Sequence, residues 1–201
     1  SPLDDVACLP FMVDTVGDMR NKPLIVHGTE ATLEILRTHI FNWAVWPDFT
    51  EIPNTENPFM QFRVIRQGEV TEIAGRKFVA LPANHTVPAV GYHIDSGDAS
   101  LVFTGDTTVC AELWRAVNSI RNLRYLIIET AFSNREKRLA AASKHLCPSM
   151  LADELTLLQR APEIFITHLK PGQIELTMQE IEDCIGEFRP RMLQNNQVFD
   201  L

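Results

Sequence analysis

The sequence predicts a layered mixed α/β chain in which helices cover sheets. Two observations carry this: short apolar runs spaced as hairpin strands come first, and strand–helix units follow. A third agrees: no internal repeat or low-complexity block appears in the 201 residues, a length that fits one domain.

The elements can be justified in order. Pro23 to Gly28 reads as a short buried strand ending at glycine, and Thr29 then caps a helix with Leu33, Leu36 and Ile40 at helical spacing. Asp48 to Pro58 is rich in Pro, Asn, Thr and Glu and reads as a loop. Phe59 to Val64 and Glu72 to Ala80 look like strands, with a turn at Gln67-Gly68. Ala89 to Ile94, Ser100 to Phe103 and Tyr125 to Glu129 are further strands, the first two joined by the turn Asp95-Ser96-Gly97-Asp98. Helical signals cover Cys110 to Ile120, Asn134 to Ser143, Pro148 to Arg160 and Leu176 to Phe188. Ile164 to Thr167 is a fully apolar strand, and Gln197 to Leu201 reads as an edge strand.

Composition narrows the function classes. With 18 basic and 26 acidic residues the formal charge is −8, which argues against a broad basic surface for nucleic acid but not against a local phosphate pocket. At 45% hydrophobic and 22% charged, the chain has enough apolar material for a core, so disorder over the whole length is excluded. No stretch approaches the apolar run that crosses a bilayer. The start, Ser1-Pro2-Leu3-Asp4-Asp5, has no basic region and no initiator Met, so a processed or truncated piece without a signal peptide is expected. Cys8, Cys110, Cys147 and Cys184 are scattered and read as reduced thiols of a cytoplasmic protein.

Three polar residues share one setting. His85, Asp106 and His168 each lie just beyond the C-terminal end of an apolar strand, where rigid scaffolds place functional groups. Imidazole suits zinc, iron or manganese, and a carboxylate can bridge two ions. Trp43, Trp46 and Phe49 read as packing residues rather than a stacking platform for a base. His27, His39 and His93 match no motif and read as structural or exposed, and Lys170 reads as a solvated lysine or as a counter-charge for phosphate.

The segments Asn84-His85-Thr86-Val87-Pro88-Ala89-Val90-Gly91-Tyr92, Phe103-Thr104-Gly105-Asp106-Thr107 and Ile166-Thr167-His168-Leu169-Lys170-Pro171 resemble the later metal motifs of the metallo-β-lactamase-fold hydrolases. The stretch Ile40 to Phe49, with Ile128-Glu129-Thr130-Ala131-Phe132 and Lys144-His145-Leu146-Cys147-Pro148, is similar to the class II cyclic-nucleotide phosphodiesterases. The resemblance implies an αββα sandwich with a dinuclear metal site, the ions roughly 3.5–4 Å apart and sharing a hydroxide. It implies that His85 ligates the first ion, Asp106 bridges and His168 ligates the second, with zinc as the usual metal. It also implies that Glu129 and His145 pair as proton donor to the leaving oxygen. The substrate would be a cyclic nucleotide or another small phosphodiester.

One motif departs from the family. Its first signature is His-x-His-x-Asp-His; here Asp4 matches the Asp, Pro2 stands at the second His and Asp5 at the third, while the first falls before residue 1. Asp4 thus stays a candidate catalytic and metal-binding residue. Asp4, Asp5, Asp106 and His168 form a harder, more acidic donor set, better suited to magnesium or manganese than to zinc. The expected architecture is a single domain over 1–201 lacking its N-terminal strands, so that the first sheet is incomplete. Open sheet edges lead to the expectation of a homo-oligomer. A fragment of a larger hydrolase, a diverged member and a mis-assigned N-terminus remain alternatives. So does a catalytically inactive domain acting as a binding or assembly module.

Overall fold

The structure, a computed structural model, describes residues 6–201. Asp4 and Asp5 lie outside the described residues. The chain divides into two compact units, one up to Arg66 and one from Gln67 onward. No helix among the described residues is long and apolar enough to cross a membrane.

The first unit contains α1 (Cys8–Val16), β1 (Leu24–Gly28), α2 (Glu30–His39) and β2 (Met60–Val64). Helix α1 was not expected, although Leu9, Val13 and Val16 repeat at helical spacing. Thr29 caps α2 as expected: its Oγ1 accepts the Thr32 N–H at 3.3 Å, and Glu30 favours the same helix start. Strands β1 and β2 pair in parallel, from Leu24 opposite Met60 to Gly28 opposite Val64. Val13, Leu33, Leu36, Phe41, Phe49 and Met60 form the core, with Trp46 packed against it. Phe49 and Trp46 are therefore packing residues, whereas Trp43 is 60% exposed.

The second unit is built on a seven-stranded sheet in simple chain order. Its strands are β3 (Val70–Ile73), β4 (Arg76–Pro82), β5 (Val90–Asp95), β6 (Ser100–Phe103), β7 (Leu123–Glu129), β8 (Glu163–Thr167) and β9 (Arg191–Met192). Neighbours from β3 to β6 are antiparallel, and those from β6 to β9 are parallel. Strands β4, β6, β7 and β8 consequently run in one direction and end at one edge of the sheet. That edge receives His85, Asp106, Glu129 and His168.

Alternation along β7 sorts its residues between two faces. Leu126 and Ile128 join the large cluster formed with α3 (Ala111–Ser119), α5 (Pro148–Leu155) and α6 (Ile174–Ile185). Tyr125 and Ile127 join Leu101 and Phe165 in a second cluster. A further helix, α4 (Lys137–Ser143), leads into His145. The expected edge strand at Gln197–Leu201 does not form. Phe199 instead caps the second cluster, its ring 5.0 Å from Tyr125 and 4.9 Å from Phe165. Ring packing, not ladder hydrogen bonding, anchors the C-terminus.

Two contacts fix the start of α3. Buried Glu154 accepts the Cys110 N–H at 3.0 Å and the Trp114 Nε1–H at 2.7 Å, so a carboxylate from α5 satisfies an otherwise open helix terminus. Gly91 sits so close to the end of β6 that a Cβ there would meet the carbonyl oxygens of Phe103 and Thr104 at 2.8 Å. Gly105 takes φ +61 immediately before Asp106, a conformation glycine adopts at little cost.

Two predictions follow from the packing. Gly91→Ala should push β5 from β6 and cost about 1–3 kcal/mol of stability, read as a lower urea midpoint; an unchanged midpoint would contradict the close approach. His27 and His93 each bury one ring nitrogen without a hydrogen-bond partner, Nδ1 and Nε2 respectively. Burial, aided by Arg63 at His27 and opposed by Asp95 at His93, holds both imidazoles below the ordinary 6.5. At these two residues the unfolded chain therefore binds more protons than the folded one below about pH 6.5. Their stability contribution is intact above that value and is lost as the pH falls through it toward the lower folded values. Relative to the wild type, His93→Leu should gain melting temperature as the pH is lowered from about 7.5 to 5.5. An identical pH dependence in the variant would count against this assignment.

Candidate metal centre

His85 follows β4 and is aimed by its neighbours. Its Nδ1 lies 3.2 Å from the carbonyl oxygen of Lys144, which can only accept, so Nδ1 carries the proton and Nε2 keeps a free lone pair. Lys144 adopts a left-handed backbone, φ 57, and its Nζ donates to the His85 carbonyl at 3.2 Å. The two residues therefore hold each other.

Asp106 lies on the loop after β6 and is 8% exposed. Asn84 ties this loop to the His85 loop by three hydrogen bonds. Its N–H donates to Thr107 Oγ1 at 3.0 Å, its Nδ2 donates to the Val109 carbonyl at 2.9 Å, and its carbonyl accepts the Thr108 N–H at 2.9 Å. Thr108 Oγ1 also donates to the His145 carbonyl at 3.2 Å. Asn84 and Thr107 lie within the two motif segments around His85 and Asp106, but nothing in their spacing gives them this clamping role.

Glu129 ends β7 and is fully buried. Oε1 accepts the Thr107 N–H at 3.1 Å and faces His145 Nδ1 at 2.7 Å. Oε2 accepts the N–H groups of Ala131 at 3.1 Å and Leu146 at 3.3 Å. This carboxylate thus orders three loops at once and sets the ring of His145. Burial opposes protonation of His145, and Lys170 adds to that. The hydrogen bond and charge of Glu129, with the charge of Asp106, outweigh them and raise the imidazole above its ordinary value.

The ligand atoms of His85, Asp106 and His145 lie within 4.8 Å of one another, the group of potential cation ligands found among the described residues. The rings of His85 and His145 meet edge to face at 4.9 Å. Two imidazoles and a carboxylate match the three-ligand pattern of catalytic zinc sites and also suit iron or manganese. Glu129 behind His145 forms the carboxylate–histidine arrangement typical behind a metal ligand. These residues fit a divalent ion.

His168 reaches the same edge by another route. It takes φ 62, and its ring stacks on His145 at 4.9 Å with planes 15° apart. Its Nδ1 is 3.4 Å from Asp106 Oδ1, and its Nε2 is 3.2 Å from Lys170 Nζ. Lys170 is half-buried and its Nζ lies 5.7 Å from the centre of the Phe132 ring, so it is not a freely solvated lysine.

No protein-family model matches the chain. A probable 3',5'-cyclic-nucleotide phosphodiesterase of Yersinia pestis is 24% identical over 78% of this chain and 52% of its own length. The chain thus spans about half the length of the curated relative it matches. Among solved structures, unliganded yeast PDE1 is similar with a TM-score of 0.79 and 18% identity, over 96% of this chain and 64% of that one. The metallo-β-lactamase fold protein YhfI from Bacillus subtilis follows with a TM-score of 0.71 and 14% identity, over 98% and 72%. A diphosphatase from the PhnP family gives a TM-score of 0.62 and 17% identity, over 99% and 66%. With its mixed sheet, its covering helices and its His and Asp residues gathered at one strand edge, this chain has the metallo-β-lactamase fold.

Proposed function

We propose that the chain is a metal-dependent phosphodiester hydrolase that converts a 3',5'-cyclic nucleotide or a related small phosphodiester to a monoester. The convergence of His85, Asp106 and His145 within 4.8 Å carries this reading. The similarity to a probable cyclic-nucleotide phosphodiesterase supports the substrate class.

His85, Asp106 and His145 would hold the ion. When bound, a divalent ion supplies Lewis-acid stabilisation of phosphoryl charge and makes water a nucleophile near neutral pH. The chain's own groups do the rest. Lys144 fixes the proton of His85 on Nδ1, so that Nε2 faces the site. Glu129 fixes the proton of His145 in the same way. Asp106 offsets the positive charge, and Lys170, beside His168, offers an ammonium to a phosphoryl oxygen.

The direct test is hydrolysis of cyclic AMP and of bis(p-nitrophenyl) phosphate by the chain supplied with zinc or manganese. Asp106→Ala and His85→Ala should each abolish metal retention and turnover together. Glu129→Gln should weaken metal affinity or activity about 10- to 100-fold, as loss of a partner behind a ligand does. Full turnover in Asp106→Ala would refute the reading. Metal retention without hydrolysis of either ester would favour a binding module.

A second reading of His145 has its own observation: Glu129 Oε1 faces its Nδ1 at 2.7 Å, and a carboxylate so placed favours the protonated ring that a proton donor to the leaving oxygen needs. His145→Gln separates the roles. Loss of the ion identifies a ligand. A retained ion, with slowed cleavage of cyclic AMP but fast release of p-nitrophenolate, identifies a proton donor, because a good leaving group needs no proton.

A further inference from the structure

We propose that Lys170 takes the place of a second cation, so that the site works with one divalent ion and one ammonium. This rests on the reading of His85, Asp106 and His145 as the seat of an ion, and it departs from the two-ion arrangement that the sequence resemblance implies.

The geometry at His168 is the starting point. A ligating imidazole must offer a lone pair, and His168 has only two ring nitrogens. Nε2 lies 3.2 Å from Lys170 Nζ. An ammonium has donors and no acceptor, so Nε2 is the accepting nitrogen and its lone pair is taken. The proton is then on Nδ1, which faces Asp106 Oδ1 at 3.4 Å. Both nitrogens are therefore engaged, one by a cation and one by the carboxylate shared with the ion seat.

The surroundings hold this arrangement. The His168 ring stacks on His145, and its backbone takes a left-handed φ of 62, which is costly for a residue with a Cβ. The Lys170 ammonium is set over the Phe132 ring at 5.7 Å, a cation–π contact that fixes its direction. An incoming second ion would have to displace the ammonium from Nε2 and accept its positive charge close by.

An ammonium at this point can do part of what a second ion does. It offers positive charge and, beside the hydrogen bond it gives His168, up to two more to the oxygens of a phosphoryl group beside Asp106. It offers no open coordination position, so it binds and orients without activating water.

The test uses the whole chain, stripped by chelation and titrated calorimetrically with zinc and with manganese. The wild type should take up one ion. His168→Gln should keep that ion with affinity within about threefold, while His85→Ala should lose it. Inorganic phosphate should bind the zinc-loaded Lys170→Met variant about tenfold or more weakly than the wild type, and Lys170→Arg should recover binding. Circular dichroism establishes that each variant is folded, and His168→Asn replaces His168→Gln if the latter is not. Two ions in the wild type, loss of the ion in a folded His168 variant, or unchanged phosphate binding in Lys170→Met would each overturn the inference. Two ions with hydrolysis would leave the phosphodiesterase reading standing, whereas no ion at all would overturn both.

Discussion

The site depends on the Glu129 carboxylate. A buried ionised carboxylate is unfavourable by several kcal/mol unless its oxygens are satisfied. Here they receive the N–H groups of Thr107, Ala131 and Leu146 and the Nδ1 of His145. Hydrogen bonds to a charged acceptor contribute about 1.5–3 kcal/mol each, so four of them offset its burial. The same four bonds determine where three loops go. Thr107 positions the loop of Asp106, Ala131 shapes the chain after β7, and Leu146 brings His145 over the sheet edge. The network that makes a charge tolerable inside the protein is also the device that assembles the ligands.

Strand direction supplies the other half of the construction. Because β4, β6, β7 and β8 point the same way, residues from 85 to 168 in the sequence meet at one edge. Asn84 then clamps the first loop to the second through its side chain and its backbone, so hydrogen bonds outside the His85 and Asp106 side chains set the spacing of the two loops. A site held in this way is ordered before any cation arrives, which reduces the reorganisation that binding requires.

Much of this was legible in the sequence, for physical reasons. The apolar runs before His85, Asp106 and His168 announce strands, and the structure places these three residues just beyond the ends of β4, β6 and β8. The Thr29 cap and the alternation along β7 are local patterns that tertiary packing only reinforces. Other features were hidden because they belong to contacts, not to spacing. The expected strand at 197–201 gives way to the packing of Phe199 on Tyr125 and Phe165, where ring burial outweighs strand propensity. The resemblance implies a proton donor at His145, and the structure also brings its ligand atom within 4.8 Å of those of His85 and Asp106, a proximity that no linear motif encodes. The engagement of Lys170 with His168 is hidden likewise, since two residues separated by one position meet only because His168 takes a left-handed turn.

The most direct measurement is anomalous diffraction at the zinc edge from crystals of the chain grown with zinc. The account predicts a peak about 2.0–2.2 Å from a ring nitrogen of His85, a carboxylate oxygen of Asp106 and a ring nitrogen of His145. Strong density elsewhere, with these three side chains uncoordinated, would contradict it.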